Sequence, residues 1–84
     1  MKFISIGYGN MVAAERIVAL ASPDSAPVKR MVSEARERRM LIDATFGRKT
    51  AAVLIMDSDH VVSTYLKAET ILNRSEIEGS GYGE

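Results

Sequence analysis

Hydrophobic and polar positions alternate from Lys2 to Ile6 in a way that suits a strand, with Ile4 and Ile6 on one face and Phe3 and Ser5 on the other. Gly7-Tyr8-Gly9-Asn10 follows, a cluster that tolerates positive φ, so the chain is expected to reverse there. Met11 to Ala21 is open to two readings. Ala13, Ile17, Leu20 and Ala21 recur at helical spacing, yet the compact run Ile17-Val18-Ala19-Leu20 suits a buried strand, and periodicity alone does not choose between them. Ser22-Pro23-Asp24-Ser25-Ala26-Pro27 marks a sharper boundary. If Ser25 caps a helix, Pro27 falls in its first turn, where a missing N–H is harmless. Val28, Met31, Val32 and Ala35 then recur at i, i+3, i+4 and i+7, one buried helical stripe, with Lys29, Arg30, Glu34, Glu37 and Arg38 on the other face.

After Arg39 the period shortens to β-like runs, Met40 to Phe46, Ala51 to Met56 and Val61 to Leu66. The breaks between them, Gly47-Arg48-Lys49-Thr50 and Asp57-Ser58-Asp59-His60, have lengths that suit antiparallel hairpins. Ala51 to Met56 is apolar on both faces, which predicts a central strand covered twice. A shorter helix is expected from Ala68 to about Ser75, with Ala68, Ile71, Leu72 and Ser75 aligned. The resulting order is strand, open segment, helix, three-strand meander, helix and tail. This predicts a single α+β domain with a small antiparallel sheet over residues 1–78, followed by a flexible glycine-rich tail over 79–84. One or two helices leave some apolar surface uncovered, so self-association is expected.

Composition narrows the function classes. The chain has 84 residues, 46% of them hydrophobic, and its 11 basic and 11 acidic side chains cancel to zero net charge. It is too short for more than one domain. The absence of cysteine excludes a disulfide scaffold, a zinc-cysteine site and thiol catalysis, and is compatible with a reducing cytoplasm. The longest apolar stretch falls far below the roughly 18 residues of a membrane span, so no membrane partner is expected. Met1 to Ile6 reaches the glycine cluster before an apolar region can form, and does not read as a signal peptide. Neutrality argues against a broadly basic nucleic-acid binder, because counterion release needs several cations facing the phosphates.

Few residues offer chemistry. Gly7-Tyr8-Gly9 after a strand suggests a dinucleotide fingerprint, but Val12 stands where the third glycine belongs and no acidic residue closes the unit, which favours a turn. Asp57-Ser58-Asp59-His60 gathers two carboxylates and the single histidine, yet calcium-loop spacing fails, and Asp and Ser are also natural turn formers. No arrangement ties His60 to a serine nucleophile. The expectation is therefore a protein that is not an enzyme, with no catalytic residues, no metal site, no cofactor and no small-molecule substrate. Arg48 and Lys49 stand out as adjacent cations at an expected hairpin tip, where the alternative is a solvated turn that resists aggregation. Arg16, flanked by apolar residues, has no obvious local partner apart from Glu15. Arg36, Arg38 and Arg39 fit the charged helix face and its C-terminal end.

Four segments taken together, Ile6-Gly7-Tyr8-Gly9-Asn10, Ser22 to Met31, Leu41 to Thr50 and Met56 to Val61, closely resemble the RemA family of small bacterial regulators of extracellular-matrix genes. The resemblance runs from about residue 3 to residue 70. It implies a cytoplasmic DNA-binding transcriptional regulator, acting on matrix and biofilm genes, that assembles into a homo-oligomeric ring and presents cations to the backbone of double-stranded DNA. The family's DNA-contacting arginine after the first strand corresponds to Arg16, and its basic pair to Arg48 and Lys49. Relatives commonly carry arginine where this chain has Lys49, which keeps the charge but loses the planar fork that grips phosphate twice. Arg39 stands where glycine is expected in relatives. A ring answers the objection from neutrality, because multivalency supplies affinity that one neutral protomer lacks. A different class of reading is a scaffold ring that binds a protein partner, its basic loop merely solvated. RNA binding is a third, with only Phe3, Tyr8, Phe46, Tyr65 and Tyr82 available to stack on bases and no RNP-like aromatic pattern.

Overall fold

A computed structural model describes residues 2–80, with side chains as far as Arg74. Its first two strands, β1 (Phe3–Gly7) and β2 (Asn10–Ala13), form a two-stranded antiparallel hairpin turned at Tyr8 and Gly9. A 3-10 helix over Ala14–Arg16 leads into β3 (Ile17–Ala21), then come α1 (Ala26–Glu37), β4 (Leu41–Asp43), β5 (Ala52–Met56), β6 (Val61–Thr64) and α2 (Ala68–Ser80). The last four strands form one sheet in the order β3-β5-β6-β4. The fold is α+β, as the hydropathy pattern predicts. The glycine-rich tail expected over 79–84 begins inside α2, and residues 81–84 lie outside the described residues.

The open segment resolves as two strands. Ile17 and Leu20 both pack on the core although they stand three residues apart, because the β3–β5 register shifts between Ile17 and Ala19. A bulge adds one residue and restores the facing that a regular strand would have reversed. Val18, the residue passed over, is exposed. The bulge thus reproduces on a strand the spacing of a helix.

The expected meander is corrected. β5 and β6 do form an antiparallel hairpin through Asp57–His60, but β4 lies beyond β6 and pairs with it in parallel, so the sheet is mixed. The strand run predicted to extend to Phe46 stops at Asp43. There the Asp43 carboxylate accepts hydrogen bonds from the Thr45 amide (3.0 Å) and hydroxyl (2.6 Å), turning the chain out of the ladder. Gly47 to Thr50 is therefore no hairpin tip. It belongs to a loop that carries the chain past the end of β6 to reach β5.

β5 is central, and Ala52, Val53 and Leu54 are fully buried. On one face, Ala52, Leu54 and Val62 pack with Ile4, Ile6 and Val12 of the hairpin and Ile71 of α2. On the other, Val53 and Val61 meet Ala35, Val28 and Val32 of α1. Met31, expected in the buried stripe, lies at its exposed margin. Ser25 caps α1, accepting from the Val28 amide at 3.3 Å, with Pro27 in the first turn. The helix ends with Arg39 at φ 62. The Arg39 amide donates to Arg36 O at 3.2 Å and the Met40 amide to Ala35 O at 2.7 Å, the paired bonds of a Schellman cap, in which the left-handed position favours glycine.

Candidate nucleic-acid interface

The loop from Ala44 to Ala51 is built from buried polar anchors outward. Besides Thr45, Asp43 accepts from the Ser63 hydroxyl at 3.2 Å, which ties the start of the loop to β6. Hydrogen bonds from the Thr45 hydroxyl and amide, with those of Ser63 and the charge of Arg36 behind them, hold the Asp43 carboxyl below its ordinary pKa against the opposing effect of burial. The Arg48 amide donates to Thr45 O at 3.0 Å, closing a tight turn whose two central residues, Phe46 (φ 55) and Gly47 (φ 85), both have positive φ. The Ala51 amide then donates to Thr64 O at 2.8 Å, and the sheet resumes. Between these fixed points Phe46, Arg48 and Lys49 are exposed.

Three aromatic rings support the loop. Tyr8 stacks on Phe46 with centroids 4.8 Å apart and an interplanar angle of 21°, and Tyr65 tilts against Tyr8 at 5.0 Å. The Arg48 guanidinium lies 5.5 Å above the Tyr65 ring, where the negative face of the ring attracts a cation. The β1–β2 turn, the crossover loop and the residue after β6 are thereby joined. Gly7 is needed at this junction, since a Cβ there would be driven into the Tyr65 ring and φ is +103. Lys49, Lys67, Tyr65, Ser22, Asp24 and Thr50 line an adjoining open groove of about 430 Å³. Among the described residues, neither Arg48 nor Lys49 forms an ion pair with a carboxylate.

Arg16, which has no obvious local partner in the sequence apart from Glu15, finds a distant one in the fold. Its guanidinium meets Asp57 at 3.3 Å, and the Asp57 amide donates to Arg16 O at 2.9 Å. With side chains 60% and 46% exposed, such a pair contributes about 0–1 kcal/mol. A partner 41 residues away in sequence is invisible to local pattern. Because Ile17 pairs with Met56 and Ala21 with Val53, Arg16 flanks the end of β5 opposite to the one that Arg48 and Lys49 precede. β5 alone separates those ends by roughly 13 Å at about 3.3 Å per residue. The fold brings Arg48 and Lys49 together and keeps Arg16 apart.

Asp57–His60 is the β5–β6 turn, with Asp59 at φ 73 and the Ser58 hydroxyl 2.7 Å from His60 Nδ1. Sequence reasoning missed Lys67, which sits in a connection with no motif of its own. The aromatic platform was visible as a set of residue types but not as a cluster, because Tyr8, Phe46 and Tyr65 come from three separate segments.

Residues 3–74 match the model of the family described as RemA-like, "Extracellular matrix regulatory protein A-like". The chain belongs to the RemA-like family. It is 61% identical over 74 residues to "Putative regulatory protein GK1166" of Geobacillus kaustophilus, an alignment that covers 88% of this chain and 85% of that one. A "Putative regulatory protein" of Carboxydothermus hydrogenoformans is 58% identical over the same share of each chain. Another, from Clostridium kluyveri, is 53% identical over 79 residues, covering 94% of this chain and 86% of its own length. The RemA-like match takes in all six strands, α1 and the first half of α2, so the aromatic platform and the basic loop both lie within it.

Proposed function

We propose that this RemA-like protein is a bacterial, cytoplasmic transcriptional regulator that binds double-stranded DNA and performs no catalysis. The observation that carries the reading is the pair Arg48–Lys49, exposed on a tightly hydrogen-bonded loop, without a carboxylate partner among the described residues and next to a ring platform that orients the guanidinium. Adjacent cations held this way suit a row of phosphates. Arginine offers a planar fork and lysine a point charge.

Zero net charge limits what one protomer achieves, so affinity must come from repetition in a homo-oligomeric ring. Exposed Phe3, Met11, Val18 and Ile42 on β1, β2, β3 and β4 support self-association. Arg16 adds a second contact point on each copy once DNA phosphate replaces Asp57. Backbone contacts carry no base identity, so preference among sequences comes from the ease of bending the duplex. The genes controlled are those of the extracellular matrix and biofilm, by likeness to the family. The test is Arg48→Ala with Lys49→Ala. DNA retardation is expected to vanish while the size-exclusion mass stays unchanged, and normal retardation would refute the assignment.

A further inference from the structure

Phe46 is the most exposed large hydrophobic side chain among the described residues, at 79% of its full accessibility. One face of its ring rests on Tyr8, which leaves the other face open. Both residues hold left-handed backbone, φ 55 at Phe46 and φ 53 at Tyr8, a region unfavourable to side chains of this size. The core does not require this arrangement, since Phe46 fills no interior space. Strain held in place by hydrogen bonds on both sides of a residue, here Thr45 to Asp43 and Arg48 to Thr45, points to a ring presented for contact.

The surroundings identify what it contacts. The next three residues, Gly47, Arg48 and Lys49, are all exposed, and two of them are cations. A subunit interface built on this ring would have to supply a carboxylate from the other copy for each of two buried cations, whereas a polyanion with apolar interior faces accepts both features at once. Duplex DNA is such a partner, with phosphates outside and stacked bases within.

We propose that Phe46 is a wedge that enters between stacked base pairs of duplex DNA while Arg48 and Lys49 hold the neighbouring phosphates. This rests on the DNA-binding reading and extends it from charge neutralisation to deformation of the duplex. Apolar side chains placed between base steps unstack and kink DNA, and flexible pyrimidine–purine steps yield most readily. Such a wedge gives a protein that reads mainly backbone a source of sequence preference. The stack on Tyr8 holds the ring in one orientation before binding, and insertion exchanges that contact for the bases.

The chain has no tryptophan, so Phe46→Trp in the full-length protein places a single indole at the tip of the loop. Saturating duplex DNA is expected to quench that indole strongly and to shield it from acrylamide. Phe46→Ala is expected to weaken DNA binding about tenfold, the scale of losing one base–aromatic contact, with the oligomer mass unchanged. Indole emission that stays constant while the same duplex saturates would overturn the wedge, as would wild-type affinity in Phe46→Ala. A fall in oligomer mass on Phe46→Ala would assign the ring to a second copy of the chain, and would likewise overturn it. Wild-type protein run in parallel separates the two levels: no retardation by wild type defeats DNA binding itself, whereas retardation without an indole response defeats only the wedge.

Discussion

Arg39 offers a direct test of how the chain ends α1. Its φ of 62 puts a side chain with a Cβ at the left-handed position of the Schellman cap, while the two closing hydrogen bonds, 3.2 and 2.7 Å, leave the backbone no other conformation there. Left-handed backbone costs an L-residue about 1–2 kcal/mol, and glycine avoids that cost while losing about 0.4–1 kcal/mol to the greater freedom of the unfolded chain. The middle of these ranges leaves a net gain for glycine over a residue with a Cβ of about 0.8 kcal/mol. Removing the Arg39 charge near the helix C-terminus works the other way, by about 0.3–1 kcal/mol at low salt. Comparing Arg39→Gly with Arg39→Ala removes that complication, because both lack the charge and only alanine retains the Cβ. In a domain of this size 1 kcal/mol corresponds to about 4–8 °C, so Arg39→Gly is expected to melt about 2–8 °C above Arg39→Ala by circular dichroism. Protein concentration must be the same for both variants, since the proposed self-association would shift the midpoint. Equal midpoints, or a higher one for alanine, would refute the assignment of strain to Arg39.

Two other predictions concern the frame around the basic loop. Gly7→Ala forces a methyl group into the Tyr65 ring at a φ of +103, and is expected to cost about 2 kcal/mol or more and to reduce the near-ultraviolet tyrosine signal; a variant that melts like wild type would contradict the packing at that junction. Asp43 has a folded-state pKa below its ordinary value, through the Thr45 and Ser63 hydrogen bonds and the charge of Arg36. Its contribution is thus fully present above the ordinary carboxylate pKa and is lost as pH falls through the lower folded value. Denaturant midpoints for wild type are expected to decline below about pH 4, more steeply than for Asp43→Asn, and parallel curves would remove Asp43 from the acid response.

Elements set by local chemistry were readable in the sequence. Ser25 and Pro27 announce the start of α1, Gly7 and Gly9 the first turn, and the doubly apolar run before Met56 the central strand. What local pattern could not convey depends on distant partners. β4 pairs in parallel with β6, so residues 41–43 meet residues 61–63, and nothing in either run distinguishes that from a meander. The β3 bulge imitates a helix for the same reason, since its extra residue is defined only against β5. At the candidate site, Arg48 and Lys49 were readable as adjacent cations. Their loop reads as a hairpin tip because Ala44 to Phe46 extends the β-like run that the Asp43–Thr45 bonds interrupt in the fold. Arg16 was readable as a charge but not as the partner of Asp57.

These placements define how a neutral chain would bind DNA. Each chain carries Arg48 and Lys49 at one end of β5 and Arg16 at the other, and the proposed ring would repeat these cations around its circumference. Each phosphate neutralised adds about 0.9 to the salt slope of log K, and several copies acting together give a steep dependence. The most direct test is the mass of the protein by light scattering, alone and with duplex DNA, at low and at high salt. A stable oligomer is expected under all conditions, gaining the mass of DNA at low salt and releasing it at high salt. A monomer, or an oligomer whose mass never changes with DNA, would contradict it.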